Sequence, residues 1–372
     1  MWFRTALCGL FLTAAAQAQD TIANTTFDGE VEAVATGLDR PWSIAFLPDG
    51  DMLVTERSGQ LRLIADGQLQ PVPVTGLPDI PMTRQGGLLD VVLHPDFAAN
   101  GVVYLTHASG RRNDSRLSVT RARYDDGALS DVETIFTTNI GNDTGGHYGG
   151  RLAFLPDGSF VVTFGEGFDY REQAQDPSDH FGTTIRLNAD GSIPDDNPAI
   201  DGAAPGVYSW GHRNPQAILY DAESGRLYAH EHGPRGGDEI NIIEPGVNYG
   251  WPIATYGVDY SGAIISPYES YEGTRQPLLY WDPSIAPAGM TLYRGEMFPE
   301  WDGDLLVAAL ISGNAETRSG HLRVVDLDES GQPVGETVFL GERGSRVRDV
   351  RTAPDGSVYV LTDQGAVLRL SR

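Results

Sequence analysis

Four polar residues stand at nearly the same distance ahead of a turn in four separate parts of the chain. Gln85 lies ten residues before Pro95, His147 nine before Pro156, Arg213 eight before Asp221 and Arg346 eight before Pro354. Side chains that share one place in a repeat are expected to converge on one place in the fold. Two of the four are cationic, and His147 is a candidate base near neutral pH. Such a set suits an anionic planar cofactor or an oxyanion. His147 sits in GGHYGGRL, where glycines let the backbone approach a ligand closely; the plainer alternative is a turn histidine bonded to backbone. Arg213-Asn214 sits in GHRNPQ, where a guanidinium can equally clamp loop carbonyls. Arg346 and Arg348 alternate across Val347, so they share a strand face, and such a pair normally needs an anion between them. The stretch 232–252, HGPRGGDEINIIEPGVNYGWP, is rich in oxygen. Backbone carbonyls of Gly233 and Pro234, with Glu239 and nearby Asp238, suit a hard cation such as calcium. No cysteine cluster or HExxH spacing points to zinc.

The elements that must carry these residues repeat. An apolar strand, a Pro-Asp-Gly-like turn, a second strand, another turn and a third strand recur six times. The copies run SIAFL-PDG-DMLVTE from Ser43, DVVLH-PDFAANG-VVYLTHA from Asp90 and RLAFL-PDG-SFVVTF from Arg151. Weaker copies start at Ala217 and Met290, and RDVRTA-PDG-SVYVLTD closes the chain from Arg348. A repeat of roughly 40–60 residues marks a propeller or solenoid, because one small sheet cannot bury its own faces. Asp-Gly turns supply the positive backbone angles of tight hairpins. The reading is an all-β, six-bladed β-propeller of four-stranded antiparallel blades. Inner strands are predicted to begin near Ser43, Leu89, Arg151, Gln216, Gly289 and Arg348. Outer strands are predicted at 31–38, 130–137 and 336–341, the first of them able to complete the last blade. Gly- and Asp-rich insertions after Phe164 and Trp251 should form ordered loops on one face.

Composition narrows the setting. Residues 1–18 read as a secretory signal: Arg4, the apolar run 5–15, then Ala16-Gln17-Ala18 as a cleavage site. The apolar run is too short to span a bilayer. Residues 19–372 are then one propeller domain, periplasmic or secreted, with no membrane insertion. Cys8 lies inside the leader, so the mature chain has no thiol chemistry and no disulfide. Formal charge is −25, and −26 once Arg4 is removed, which repels nucleic acid. All 26 basic residues are arginine.

Six segments, QGGLLDVVLHPDF, HYGGRL, RLNADGSIPDDNP, GHRNPQ, HGPRGGDEIN and NYGWP, resemble the soluble pyrroloquinoline-quinone-dependent glucose/sorbosone dehydrogenases, and among them the periplasmic aldose sugar dehydrogenases. The resemblance spans roughly residues 30–371. It implies oxidation of the anomeric hydroxyl of an aldose to a lactone, with pyrroloquinoline quinone and calcium as cofactors. Electrons would leave to an unidentified periplasmic acceptor, from a monomer or homodimer. His147 matches the general base, and Arg213 and Asn214 match residues beside the reacting quinone carbonyl. Gln85 matches a polar contact in the same pocket, and Arg346 and Arg348 match arginines near the cofactor carboxylates. Gly233 and Pro234 match backbone ligands of the calcium beside the quinone. Glu239 and Tyr249 match a second, structural calcium. Two departures stand out. Glucose-specific members carry a lysine in the region that here reads ALISGNAETRSG, and this chain has no lysine. They also carry an acid directly before the histidine; here Gly146 stands there, so His147 is expected to lack that orienting partner. Two other functions fit a six-bladed propeller. A calcium-dependent lactonase would need carboxylates and an asparagine inside the channel, where Gln, His and Arg fall instead. A non-catalytic glycan- or protein-binding propeller leaves the four aligned polar residues unexplained.

Overall fold

The chain was described by a computed structural model covering residues 15–17, 22–313 and 319–372. Six antiparallel sheets follow one another along the sequence. Their first strands are Pro41–Phe46, Leu88–Leu93, Leu152–Phe154, Pro215–Asp221, Pro287–Leu292 and Val347–Thr352. Each begins within two residues of the position predicted from the repeat. These first strands touch in sequence around a closed ring, the last meeting the first. The protein is a six-bladed β-propeller, and its first strands line the central channel. Helix is confined, among the described residues, to Phe97–Asn100 and three short 3₁₀ turns. Among the described residues, no helix is long and apolar enough to cross a membrane.

The ring closes by exchange. Glu30–Ala35 pairs antiparallel with Val367–Ser371 and supplies the outer strand of the sixth blade. The other two expected outer strands are found at Ala128–Thr137 and Pro333–Phe339. One pairing was not anticipated: Ala16–Gln17 lies parallel against the outer strand of the fourth blade, Leu279–Trp281. The rest of the expected leader lies outside the described residues.

Apolar side chains alternate along each strand, so a blade has two sticky faces and no private core. The described core accordingly divides into six clusters, each a seam between neighbouring blades. Leu53 and Leu61 of blade one meet Val91 and Leu105 of blade two, and Ile44 and Val54 meet Leu361 and Val367 of blade six.

Polar groups bind the ring across the channel. Arg151, 3% exposed, places Nη1 3.3 Å from Asp90 Oδ1 and Nη2 3.1 Å from Asp349 Oδ1. Its Nε donates to the Gln216 carbonyl at 3.0 Å, and its guanidinium lies 3.9 Å from the Trp42 ring centre. Asp90 also accepts from Ser43 Oγ and the Leu152 amide, and Asp349 from the Ile44 amide. Blades one, two, three, four and six meet in this one buried network.

Candidate active site

Three hollows adjoin at the channel mouth. The first, about 470 Å³, is lined by Gln85, Asn214, Gln216, Arg346 and Arg348, with Trp42 and Leu89 on its wall. A second, about 500 Å³, holds Gly233 and Pro234 and shares His232, Ala286 and Ile311 with the first. A third, about 220 Å³, holds Arg213, Glu166 and Phe168 and shares Pro234 and Tyr260 with the second. Gln85, Arg213 and Arg346 thus line adjoining hollows, whereas His147 lines none of the three and lies behind their walls, bonded to Gln85 and Glu166.

His147 is 3% exposed and sits at a φ of 49°. Two other mouth residues, Arg40 and Ala286, share this left-handed angle at 49° and 50°. Side chains other than glycine rarely adopt it, and such strain gathers at functional sites. The conformation of His147 is held from several sides. Its amide donates to Gln85 Oε1 at 2.7 Å, and its ring meets Phe168 edge-on at 4.9 Å. A Cβ on Gly165 would overlap the His147 carbonyl, so glycine is needed there for the strand to pass this close.

The sequence led us to expect no orienting acid, because Gly146 precedes the histidine. That expectation is corrected by Glu166, whose Oε2 lies 3.0 Å from His147 Nδ1. Glu166 is buried and also accepts the Phe168 amide. A carboxylate on Nδ1 fixes the tautomer and leaves Nε2 as the atom able to take a proton. Burial lowers the pKa of the His147 ring below the ordinary histidine value; Glu166 pulls it up, and Arg213 and Arg84 push it down.

The signal that could have found Glu166 is again positional. An acid stands at or just past the end of the second strand in four blades: Glu56, Glu166, Glu231 and Asp363. Each anchors the segment that enters its own blade. Glu56 accepts the Asp39 amide, and Glu231 accepts the Arg213 amide and faces His212 Nδ1 at 2.9 Å. Asp363 receives Arg346 Nε at 2.8 Å and Arg348 Nε at 2.9 Å. The anion expected between the two arginines is thus partly supplied by the protein. Burial pushes the Asp363 pKa up, but Arg348 and Arg346 together hold it below the ordinary carboxylate value.

Arg213 clamps loop carbonyls, one of the two roles left open above. Its Nη1 donates to the His232 and Gly233 carbonyls at 3.0 and 2.5 Å. Its Nη2 has only a long contact, 3.5 Å, to the Tyr260 hydroxyl. Its Nε lies 4.0 Å from Glu166 Oε1 and has no hydrogen-bond partner among the described residues. Asn214 Oδ1 accepts from the Gly149 amide and Gln216 Nε2, which ties its amide into the wall of the first hollow.

The oxygen-rich stretch divides in two. The Gly233 carbonyl already faces a cation, the Arg213 guanidinium, so the turn presents oxygen to positive charge and is chemically suited to calcium. Asp238 is not free to ligate: Oδ1 accepts the Gly233 amide, and Oδ2 accepts Ser284 Oγ and the Ile285 and Ala286 amides. Burial still raises its pKa to about 6. Glu239 lies across the strand pair from Glu231, with Asn241 Nδ2 between them at 3.2 and 3.3 Å. Burial raises the Glu239 pKa well above the ordinary value, and the Glu231 charge adds to that. Asn241 Oδ1 is buried without a partner among the described residues. The Glu231 oxygens already face His212 Nδ1 and accept the Arg213 amide, so Glu239 and the orphaned Asn241 carbonyl oxygen are the donors left for a hard cation. The Tyr249 phenol is committed elsewhere: it donates to the Ile242 carbonyl at 2.6 Å, accepts the Glu244 amide and stacks on His212.

With this geometry in place, comparison with known proteins is informative. The family model for Glucose / Sorbosone dehydrogenase matches residues 38–369. The aldose sugar dehydrogenase YliI of Escherichia coli is 42% identical over 352 residues, covering 92% of each chain. The crystal structure of the soluble aldose sugar dehydrogenase from Escherichia coli, in its apo-form, superposes with a TM-score of 0.86 at 40% identity, over 92% of this chain and 99% of that one. The PQQ-bound form of the aldose sugar dehydrogenase from Streptomyces coelicolor gives 0.74 at 29% identity, over 92% and 98%. A match over nearly the whole propeller, with the histidine and arginine positions gathered at one channel mouth, places this chain in the glucose/sorbosone dehydrogenase family.

Proposed function

We propose that the protein oxidises the anomeric hydroxyl of an aldose to a lactone, with pyrroloquinoline quinone and calcium as cofactors. The observation that carries this reading is the buried His147–Glu166 pair beside a cavity walled by arginines. When bound, pyrroloquinoline quinone supplies the acceptor for the hydride that leaves the sugar C1. The chain's own residues do the rest. His147 Nε2 takes the hydroxyl proton, while Glu166 holds Nδ1–H and stabilises the charge that forms on the ring. Gln85 fixes the His147 backbone. Arg213 is assigned the negative charge that grows on the acceptor oxygen, through the nitrogens that loop carbonyls do not occupy. Gly233 and Pro234 would hold the calcium, which would supply Lewis-acid polarisation there. Arg346 and Arg348, with Asn214, would hold the cofactor. Glu239 would hold a second, structural ion with Asn241; from Tyr249 only the backbone remains for that role.

This fit favours a dehydrogenase over a lactonase, because the first hollow is lined by four arginines and a single carboxylate, Asp363, which Arg346 and Arg348 already engage. We also assign the protein to the periplasm or the secreted fraction, with an acceptor protein or quinone downstream. The deciding experiment adds calcium and pyrroloquinoline quinone to the purified protein and follows the visible spectrum. A bound quinone that bleaches on addition of an aldose is expected; no spectral change with any aldose would remove this reading.

A further inference from the structure

The first hollow holds more positive charge than the residues assigned so far account for. Arg40 and Arg57 line it together with Arg346 and Arg348, and Asp363 is the acid on its wall. Four guanidiniums and one carboxylate line about 470 Å³, and a second acid, Asp39, lies 3.8 Å from Arg40 Nε, so positive charge is in excess there. The chain as a whole is strongly negative, at −25. A concave concentration of positive charge in such a protein is an anion site rather than a sample of average surface.

Arg57 is built into this site. It follows Glu56 at the end of the second strand of blade one, and its amide donates to the Arg40 carbonyl at 3.1 Å. Its Nη1 donates to the Gln85 carbonyl at 3.2 Å and, more weakly, to the Arg84 carbonyl at 3.4 Å. Nε and Nη2 make no hydrogen bond among the described residues, and the side chain lies against the cavity. The guanidinium is held below its ordinary pKa first by burial and then by repulsion from Arg348 and Arg40. Like charges drawn together in a half-buried hollow destabilise the empty site and favour an anion that bridges them.

We propose that Arg57, assisted by Arg40, is a third cofactor-binding arm, holding a carboxylate of the bound quinone at the blade-one side of the hollow. The proposal rests on the functional reading above. Pyrroloquinoline quinone is a planar tricarboxylate, and its negative charges complement the excess of positive charge on the wall. Arg346 and Arg348 address it from blade six, and Arg57 and Arg40 from blade one. Because Arg57 also grips the Gln85 carbonyl, and Gln85 holds the His147 amide, occupancy of this arm is linked to the base through two hydrogen bonds.

The test is calorimetric titration of calcium-loaded, quinone-free protein with pyrroloquinoline quinone, which reads affinity without turnover. Arg57→Gln should weaken binding by about tenfold or more, the scale of one lost charge-assisted contact. Arg40→Gln, on a more exposed side chain, should weaken it by a smaller factor. The affinity of Arg57→Gln should also depend less steeply on salt than that of the wild type. Thermal melts of both variants show whether the fold is intact. Should Arg57→Gln not fold, Arg57→Lys carries the test: it keeps the charge, loses the planar fork and should still bind more weakly. Wild-type affinity in the folded Arg57 variant overturns the proposal. Absence of binding by the wild-type protein overturns the functional reading instead, so the two failures are told apart.

Discussion

At the scale of single residues, the site turns on which atom of His147 is free. Glu166 occupies Nδ1, so proton transfer belongs to Nε2. His147→Ala should still bind quinone but lose about 10²–10⁴-fold in kcat. The pH dependence has a definite sign. Burial lowers the ring pKa, so the neutral, competent base persists below the ordinary histidine value, and the acid limb of kcat should lie at lower pH than 6.5. Glu166→Gln removes the charge that raises this pKa. The variant should turn over about 10–10²-fold more slowly, with its acid limb moved further down in pH. A limb that moved up, or stayed in place at full rate, would show that Glu166 does not act through His147. Arg213→Lys keeps the charge but loses the fork that reaches the His232 and Gly233 carbonyls, so it should not restore full activity. Arg213→Ala should cost about 10²–10³-fold in kcat, the scale of one lost oxyanion donor. Steady-state rates at saturating quinone check both.

At the scale of elements, the second and third strands of blade four carry a liability that a metal would relieve. Glu231, buried, and Glu239, half-buried, face each other across the ladder with Asn241 as a shared donor. Two carboxylates in such a place repel unless a cation or a proton intervenes. Calcium should therefore raise the melting temperature of the wild-type protein, and a chelator should lower it, because an ion bound only to the folded chain stabilises it by mass action. Glu239→Gln removes one of the two charges. Its calcium-free form should melt no lower than the calcium-free wild type, and added calcium should raise its melting temperature less. Equal responses of the two proteins to calcium would place the ion elsewhere.

At the scale of the whole molecule, closure depends on contacts between residues that are remote in sequence. The outer strand Glu30–Ala35 completes the last blade, and Arg151 binds Asp90 of blade two to Asp349 of blade six across the channel. Arg351 also reaches both carboxylates, at 3.4 Å from Asp90 Oδ1 and 3.0 Å from Asp349 Oδ2, but Arg151 is the more deeply buried of the two, so Arg151→Met would remove one of their two shared counter-ions. The expected cost is about 3–5 kcal/mol of stability, the range for breaking a buried ion pair from one side. Denaturant unfolding measures it, and a loss below about 1 kcal/mol would mean that Arg351 alone neutralises the pair. Trp42 and Gln216 line the first hollow and touch Arg151 directly. The same variant should therefore weaken quinone binding as well as the fold.

The sequence by itself determined the repeat, and with it the number of blades, the first strand of each and the positions that reach the channel mouth. Those follow from local chemistry: alternation of apolar residues, Asp-Gly turns and fixed spacing before the turn. It brought Gln85, His147, Arg213 and Arg346 to one end of the channel because a propeller converts repeat position into location. It did not yield the partners of these residues. Glu166 reaches His147 from nineteen residues away, and Arg57 meets Arg348 only because blade one closes against blade six. The residue before the histidine was the wrong place to look for its acid, since chain neighbours in a turn point apart while the end of the adjacent strand points inward. Asp238 was likewise readable as a ligand from its neighbours in sequence, and only the fold shows four donors already on it. Spacing fixes where a side chain starts, whereas burial, charge and competition for hydrogen bonds decide what it can do there, and those are set by segments that meet only when the ring has closed.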